Sequence, residues 1–119
     1  MQMAHKNSSE RGTLSVRQLR ARRARLARQL PDVQETLWGS LQSQSRRCGK
    51  QACRCAEGEL HGPYVYLSVR AGPRSRLLYI PAELAEEVGR HVEVTGRIEA
   101  ALAEISAINL ELLARGELR

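Results

Sequence analysis

The residues best suited to chemistry lie close together. Cys48, Cys53 and Cys55 are the three cysteines of the chain, spaced C-x4-C-x-C, and His61 follows after five intervening residues. Zinc takes four nitrogen or sulfur ligands in a tetrahedron, and a short glycine-containing loop lets the backbone wrap around it. Three thiolates and one imidazole form a closed Cys3His shell without an open position, which predicts a structural rather than a catalytic ion. His61 competes with His91, Glu57 and Glu59 for the fourth place, and the competing account of the whole cluster is three free, reduced thiols. An odd cysteine count, in a chain whose opening MQMAHKNSSERG has no signal-peptide apolar stretch, argues against a disulfide framework. Arg46, Arg47, Lys50 and Arg54 surround the loop, where their charge favours deprotonated thiols. The spacing does not match the C-x2-C pairs of common fingers and ribbons, so it predicts a metal without predicting a finger.

Positive charge is the second feature. Lys and Arg outnumber Asp and Glu by 19 to 13, for a net charge of +6 and a pI near 9.9. The charge is graded along the chain: residues 1–30 carry +7, residues 31–80 carry +3 and residues 81–119 carry −4. Such a gradient predicts that one end meets a polyanion and the other meets protein; the alternative is that the two ends pair within the fold. The arginines expected to contact phosphates are Arg17, Arg22, Arg25 and Arg28 on a helix, and Arg70, Arg74 and Arg76 on a hairpin, joined by the four basic residues of the cysteine loop. Tyr64 and Tyr66 fall on one face of a strand and could stack on unpaired bases, with ordinary packing as their competing role. Nothing here separates DNA from RNA. No phosphate-binding loop, dinucleotide fingerprint, paired catalytic carboxylates or activated tyrosine accompanies these residues, so no enzyme is predicted.

The elements that must position these groups follow from pattern and punctuation. With 119 residues, only four aromatics and no Phe, the chain has few large side chains for a core, and so calls for a staple or a partner. Residues 1–14 read as a disordered basic tail. Residues 15–44 read as an Arg-rich helical segment: Ser15 and Gln18 form a capping box, and Val16, Leu19, Leu26 and Leu30 make one stripe. Pro31 interrupts, after which Val33, Leu37, Trp38 and Leu41 continue an apolar helical face to about residue 44. Residues 45–81 hold the zinc loop and a β-hairpin, with strands at 64–70 and 74–80 around Ala71-Gly72-Pro73 and Gly72 at a positive φ.

Residues 82–116 read as a long, amphipathic, coiled-coil-like helix that opens after Pro81 and stops at Gly116. Leu84, Val88, Ile98, Leu102, Ile105 and Leu112 form its oligomerisation stripe. At 1.5 Å per residue it would run roughly 50 Å, longer than the width of any globule this chain could form. A homodimer, a helical protein partner or the N-terminal helices must therefore cover the stripe. The fold class predicted is α+β, mainly helical: N-terminal helices, a Cys3His zinc loop, a short β-hairpin and a long C-terminal helix. No apolar run approaches the ~20 residues that cross a bilayer, so a cytoplasmic location and no membrane partner are expected.

The stretch RCGKQACRCAEGELHGPYVYLSVR resembles the signature RCGKxxCxCAxGxxHGPYxYLS of an uncharacterised family of small prokaryotic proteins. Members of that family continue into a basic hairpin, a Tyr-Ile-Pro-like step, here Tyr79-Ile80-Pro81, and a Glu/Leu-rich helix. The resemblance covers roughly residues 37–113 and omits the arginine-rich segment before residue 31. It implies Cys48, Cys53, Cys55 and His61 as a site, supplies no activity, and implies a setting among mobile-element genes. Together these readings predict a small zinc-stapled, nucleic-acid-binding protein, an accessory or regulatory factor of mobile elements. The alternative is a dimeric adaptor that docks a larger protein such as a recombinase or polymerase.

Overall fold

Ser15 opens the first long helix, α1 (Val16–Arg28), by the anticipated capping box: its hydroxyl accepts from the Gln18 amide, and the Gln18 side chain accepts from the Ser15 amide. In this computed structural model, residues 10–47, 49, 50, 52, 54, 58 and 60–119 are described. After α1 come a single 3-10 turn (Val33–Glu35), strands β1 (Ser40–Arg46), β2 (His61–Ala71) and β3 (Arg74–Ile80), and helix α2 (Ala82–Ala114). The chain divides into two compact units, residues 1–34 with 96–119, and residues 35–95. Helix α2 contributes its first part to the second unit and its remainder to the first.

In the first unit, α1 packs against the C-terminal part of α2. Leu19, Ile108 and Leu112 are fully buried together, with Leu14, Val16 and Leu26 partly buried around them. Polar contacts frame this small core. Glu104 draws in two guanidinium groups, Arg22 at 2.9 Å and Arg11 at 3.2 Å. Arg20 donates to the Glu117 carbonyl at 3.0 Å, and Arg23 donates to Asn109 Oδ1 at 2.7 Å. Arg115 donates to the carbonyls of Leu14 (2.7 Å) and Arg11 (3.0 Å) and holds Glu111 at 2.8 Å. Residues 10–13 accordingly form a helical turn and not the disordered tail that polarity alone suggested. Gly116 ends α2 in a Schellman motif, with Glu117 N–H donating to Leu112 O at 2.8 Å and Gly116 N–H to Leu113 O at 3.0 Å.

In the second unit, the sheet order is β1-β2-β3, both pairs antiparallel. The hairpin forms as anticipated, with Ala71 opposite Arg74 and Gly72 at φ 66° in the two-residue turn. β2 starts at His61, earlier than the pattern indicated. The segment expected to continue as helix to about residue 44 instead supplies the edge strand β1. Its register explains why: Leu41 faces Leu67, which in turn faces Leu78, so pairing lines up an apolar row with Leu67 buried at its centre, which an isolated helical turn could not form. That row is the inner face, where Leu67 is buried and Leu41 approaches α2 so closely that a Cβ on Gly89 would lie 3.3 Å from its Cδ1. Buried Thr95 pins the segment before β1 to the same helix. Its hydroxyl accepts from the Leu37 amide at 2.7 Å and reaches the Leu37 and His91 carbonyls at 3.0 Å. The architecture is thus mixed helix and sheet, with a long C-terminal helix. Among the described residues no helix is long and apolar enough to cross a membrane.

Leu19 has no exposed surface and packs with Ile108 and Leu112. Leu19→Ala is expected to cost about 2–5 kcal/mol of stability, since the site has few neighbours able to close the cavity. Urea denaturation of the full chain measures it.

Candidate nucleic-acid interface

Cross-strand partners share a sheet face, so the register defines a second, outer face directly. It carries Ser40, Gln42 and Gln44 from β1, Tyr64, Tyr66, Ser68 and Arg70 from β2, and Ser75, Leu77 and Tyr79 from β3. All three tyrosines of the chain therefore lie on one face. Tyr79 makes a T-shaped contact with each of the others, at 5.9 Å and 68° from Tyr66 and 6.4 Å and 66° from Tyr64. Arg46 places its guanidinium 5.4 Å from the Tyr66 ring centroid and donates to the Tyr66 hydroxyl. Tyr64 and Tyr66 are half-buried, while Tyr79 is 56% exposed.

A bulge sets the end of this face. β1 advances from Gln44 to Arg46 while β2 moves from Tyr64 to His61, so β2 holds one extra residue there. Gly62 makes it possible: its φ is 112°, and a Cβ on it would fall 2.9 Å from the Gln44 carbonyl oxygen. The extra residue puts His61, and not Gly62, opposite Arg46. At the other end, a surface cavity of about 500 Å³ is lined by Trp38, Gly39, Ser40, Ser68, Val69 and Arg70. Trp38, read from the sequence as part of a helical apolar face, is 67% exposed at its mouth.

The predicted arginines separate into two groups. Arg22 is engaged inside the fold by Glu104 and, at 3.7 Å, by Glu10, so it does not present a free charge to phosphate. Arg17, Arg25 and Arg28 are exposed and have no carboxylate partner among the described residues, and the same holds for Arg70, Arg74 and Arg76. Lys50 and Arg54 are exposed, as is Arg47. The three strands contain no acidic residue at all.

Of the proposed metal ligands, Cys48, Cys53 and Cys55 lie outside the described residues, as do Glu57 and Glu59. His61 is half-buried at the start of β2, and His91 bonds the Glu87 carbonyl of its own helix through Nδ1 at 2.8 Å. Among the described residues no group of three His, Cys, Asp or Glu side chains could hold a metal ion. The oligomerisation stripe also divides. Ile98 and Leu112 are buried within the chain, Val88 and Ile105 are half-buried, and Leu84 and Leu102 are exposed.

Sequence reasoning identified Tyr64, Tyr66 and Arg46 but missed Tyr79, Trp38, Gln42 and Gln44. Tyr79 alternates with Leu77 in RSRLLYI, so a cross-strand register would have placed it beside Tyr66; only the pairing of β3 with β2 was needed. Trp38 and the glutamines were hidden by the helical spacing of Val33, Leu37 and Leu41.

The division of the arginines has a direct consequence for stability. Arg22→Ala is expected to destabilise by about 1–3 kcal/mol, because it leaves the mostly buried Glu104 carboxylate short of a partner. Replacing Arg17, Arg25 or Arg28 with Ala is expected to stay within about 0.5 kcal/mol of the parent. Parallel denaturation curves read the contrast.

No match to the chain was found among the curated proteins or among the solved structures. A family model does match, and it begins at residue 16, so it takes in the arginine helix that the sequence resemblance left out. The match assigns no role to individual cysteines or to His61. The chain belongs to the family described as a domain of unknown function, DUF6788, which spans its residues 16–90.

Proposed function

We propose that this protein is a zinc-stapled nucleic-acid-binding module that acts by binding and not by catalysis. The observation that carries the reading is the charge of the sheet itself: its three strands hold Arg46, Arg70, Arg74 and Arg76 and no carboxylate, and one face carries all three tyrosines with Arg70. A polyanion is the ligand that such a surface attracts without a desolvated like charge to oppose it. Arg17, Arg25 and Arg28 supply a second basic surface on the first unit. An accessory or regulatory part at mobile elements is the setting that the family resemblance suggests for such a module.

The zinc is proposed on the donor set. Cys48, Cys53, Cys55 and His61 provide three thiolates and one imidazole within residues 48–61, enough for a closed tetrahedral shell. The pairing of Arg46 with His61 supports it, since it brings together the two ends of the connection that carries the cysteines. The ion would tie that loop and take no part in chemistry. A second reading, a protein-docking adaptor, is favoured by Leu102, Leu110 and Leu113. These residues fall on one side of α2 and are 54%, 64% and 57% exposed. That stripe replaces Ile98 and Leu112 as the surface offered to a helical partner or a second copy.

If about six arginines meet phosphates, log K for duplex DNA is expected to fall against log salt with a slope near −5. Replacing Arg17, Arg25 and Arg28 together with Ala should flatten that slope by about three units, with the melting temperature little changed. Indifference to DNA and RNA at low salt defeats the reading and favours the adaptor. Native mass spectrometry should find one zinc per chain, lost when Cys53 is replaced by Ser, with the sheet loosened because structural zinc contributes folding free energy.

A further inference from the structure

The chain spends none of its aromatic side chains on its core. Among the described residues the buried apolar ones are Leu19, Leu67, Ile98, Ile108 and Leu112, all aliphatic. The one Trp and three Tyr instead lie on, or at the rim of, the outer sheet face. Aromatic rings bury more apolar area than any other side chain, so a chain this poor in large residues gains most stability by placing them inside. Trp38 and Tyr79 nonetheless leave more than half of their surface to solvent.

We propose that this face is a stacking platform for single-stranded nucleic acid, with Tyr66 and Tyr79 at its centre, Tyr64 and Trp38 toward its ends, and Arg46 and Arg70 as phosphate contacts. The inference rests on the nucleic-acid reading above and narrows it to unpaired strands. Three features carry it. Neither tyrosine pair is stacked face to face, since the rings meet at 66° and 68°, so each contact engages at most one ring face of the pair. Arg46 lies over the Tyr66 ring, where it can turn to a phosphate and uncover that ring for a base. Gln42 and Gln44, beside Tyr66 and Tyr64 in register, add donors and acceptors suited to base edges.

The geometry selects against duplex. In a duplex the base faces are stacked on one another, so a side-chain ring can reach them only when the bases are unpaired. From Tyr64 to Arg70 the strand runs about 20 Å at 3.4 Å per residue, room for a tract at the short end of known single-strand sites, about four nucleotides. The absence of any carboxylate on the three strands keeps the phosphate path free of like charge.

The test titrates the full-length protein with oligo(dT), oligo(rU) and a duplex of equal phosphate count, reading Trp38 fluorescence and anisotropy of labelled strand. The single strands are expected to bind at least about tenfold more tightly than the duplex and to quench Trp38. Tyr79→Ala should weaken single-strand binding roughly 5- to 100-fold while changing duplex binding less than about twofold. Tyr79→Phe keeps the ring and should retain affinity. Tyr79→Leu keeps apolar bulk without a π face, so its loss of affinity with an unchanged circular dichroism spectrum separates stacking from misfolding. Equal affinity for single strand and duplex, with all three variants neutral, overturns the platform and leaves the broader nucleic-acid reading standing. No binding to any nucleic acid overturns both. Self-association that Tyr79→Ala abolishes, without nucleic-acid binding, assigns the face to a second copy and likewise overturns it.

Discussion

A three-stranded sheet has two faces, and the second unit has one helix segment to cover them. That constraint orders everything around it. The inner face takes Leu41, Leu67 and Leu78 and meets α2 near Gly89, while Thr95 ties the entry of β1 to the same helix. The outer face is left to carry the tyrosines, the glutamines and Arg70. Side chains alternate along a strand, so a residue that joins the core on one face fixes its neighbours outward on the other. Tyr64 and Tyr66 are outward because Val65 and Leu67 are inward, and a one-residue slip would exchange the sets. The proposed binding surface and the inner face are therefore specified by the same register.

The charge gradient of the chain resolves into two uses. Part of it is internal: Arg11 and Arg22 share Glu104, Arg20 reaches Glu117, and Arg115 caps the carbonyls of the opening turn. These contacts frame the core of Leu19, Ile108 and Leu112, and they link the basic N-terminal segment to the acidic C-terminal helix. The two ends of the gradient therefore do pair within the fold. What remains without a carboxylate partner among the described residues is a smaller set, Arg17, Arg25 and Arg28 on α1 together with the arginines of the sheet. Net charge alone could not separate the arginines that hold the fold from those that face outward; the positions of the carboxylates do.

Much of this was legible in local sequence. The capping box at Ser15 and Gln18, the Gly72 turn and the Gly116 stop each rest on contacts within five residues, and each appears as read. The hairpin was legible for the same reason. β1 was not, because Val33, Leu37, Trp38 and Leu41 fall at helical spacing and the strand itself, SLQSQSR, has only one large apolar residue. It is a strand by virtue of β2, and its partner lies some two dozen residues away in sequence. The same dependence hid half of the candidate site: Tyr79 and Gln42 become neighbours of Tyr66 only once both pairings exist. The family match over residues 16–90 unites α1, the sheet and the opening of α2, which agrees with these elements forming one inherited set.

The bulge at Gly62 links the two halves of the proposed function. Residues 47–60 form a long connection for a pair of adjacent antiparallel strands, and closing it costs entropy that the edge strand β1 repays with few apolar contacts. Gln42, Gln44 and Arg46 reach the outer face only while β1 stays paired. In the proposed zinc-stapled reading, an ion held by the cysteines and His61 would shorten that free connection to a knot at the mouth of β1 and β2. The metal would then act on nucleic acid without touching it, by keeping an otherwise weak edge strand in register beside Tyr64 and Tyr66. His61 has a double part in this account, since the extra residue that sets it opposite Arg46 also sets the end of the tyrosine face. In that reading the proposed ligand His61 and the tyrosine face begin three positions apart on one strand, and the bulge is what lets both occupy it.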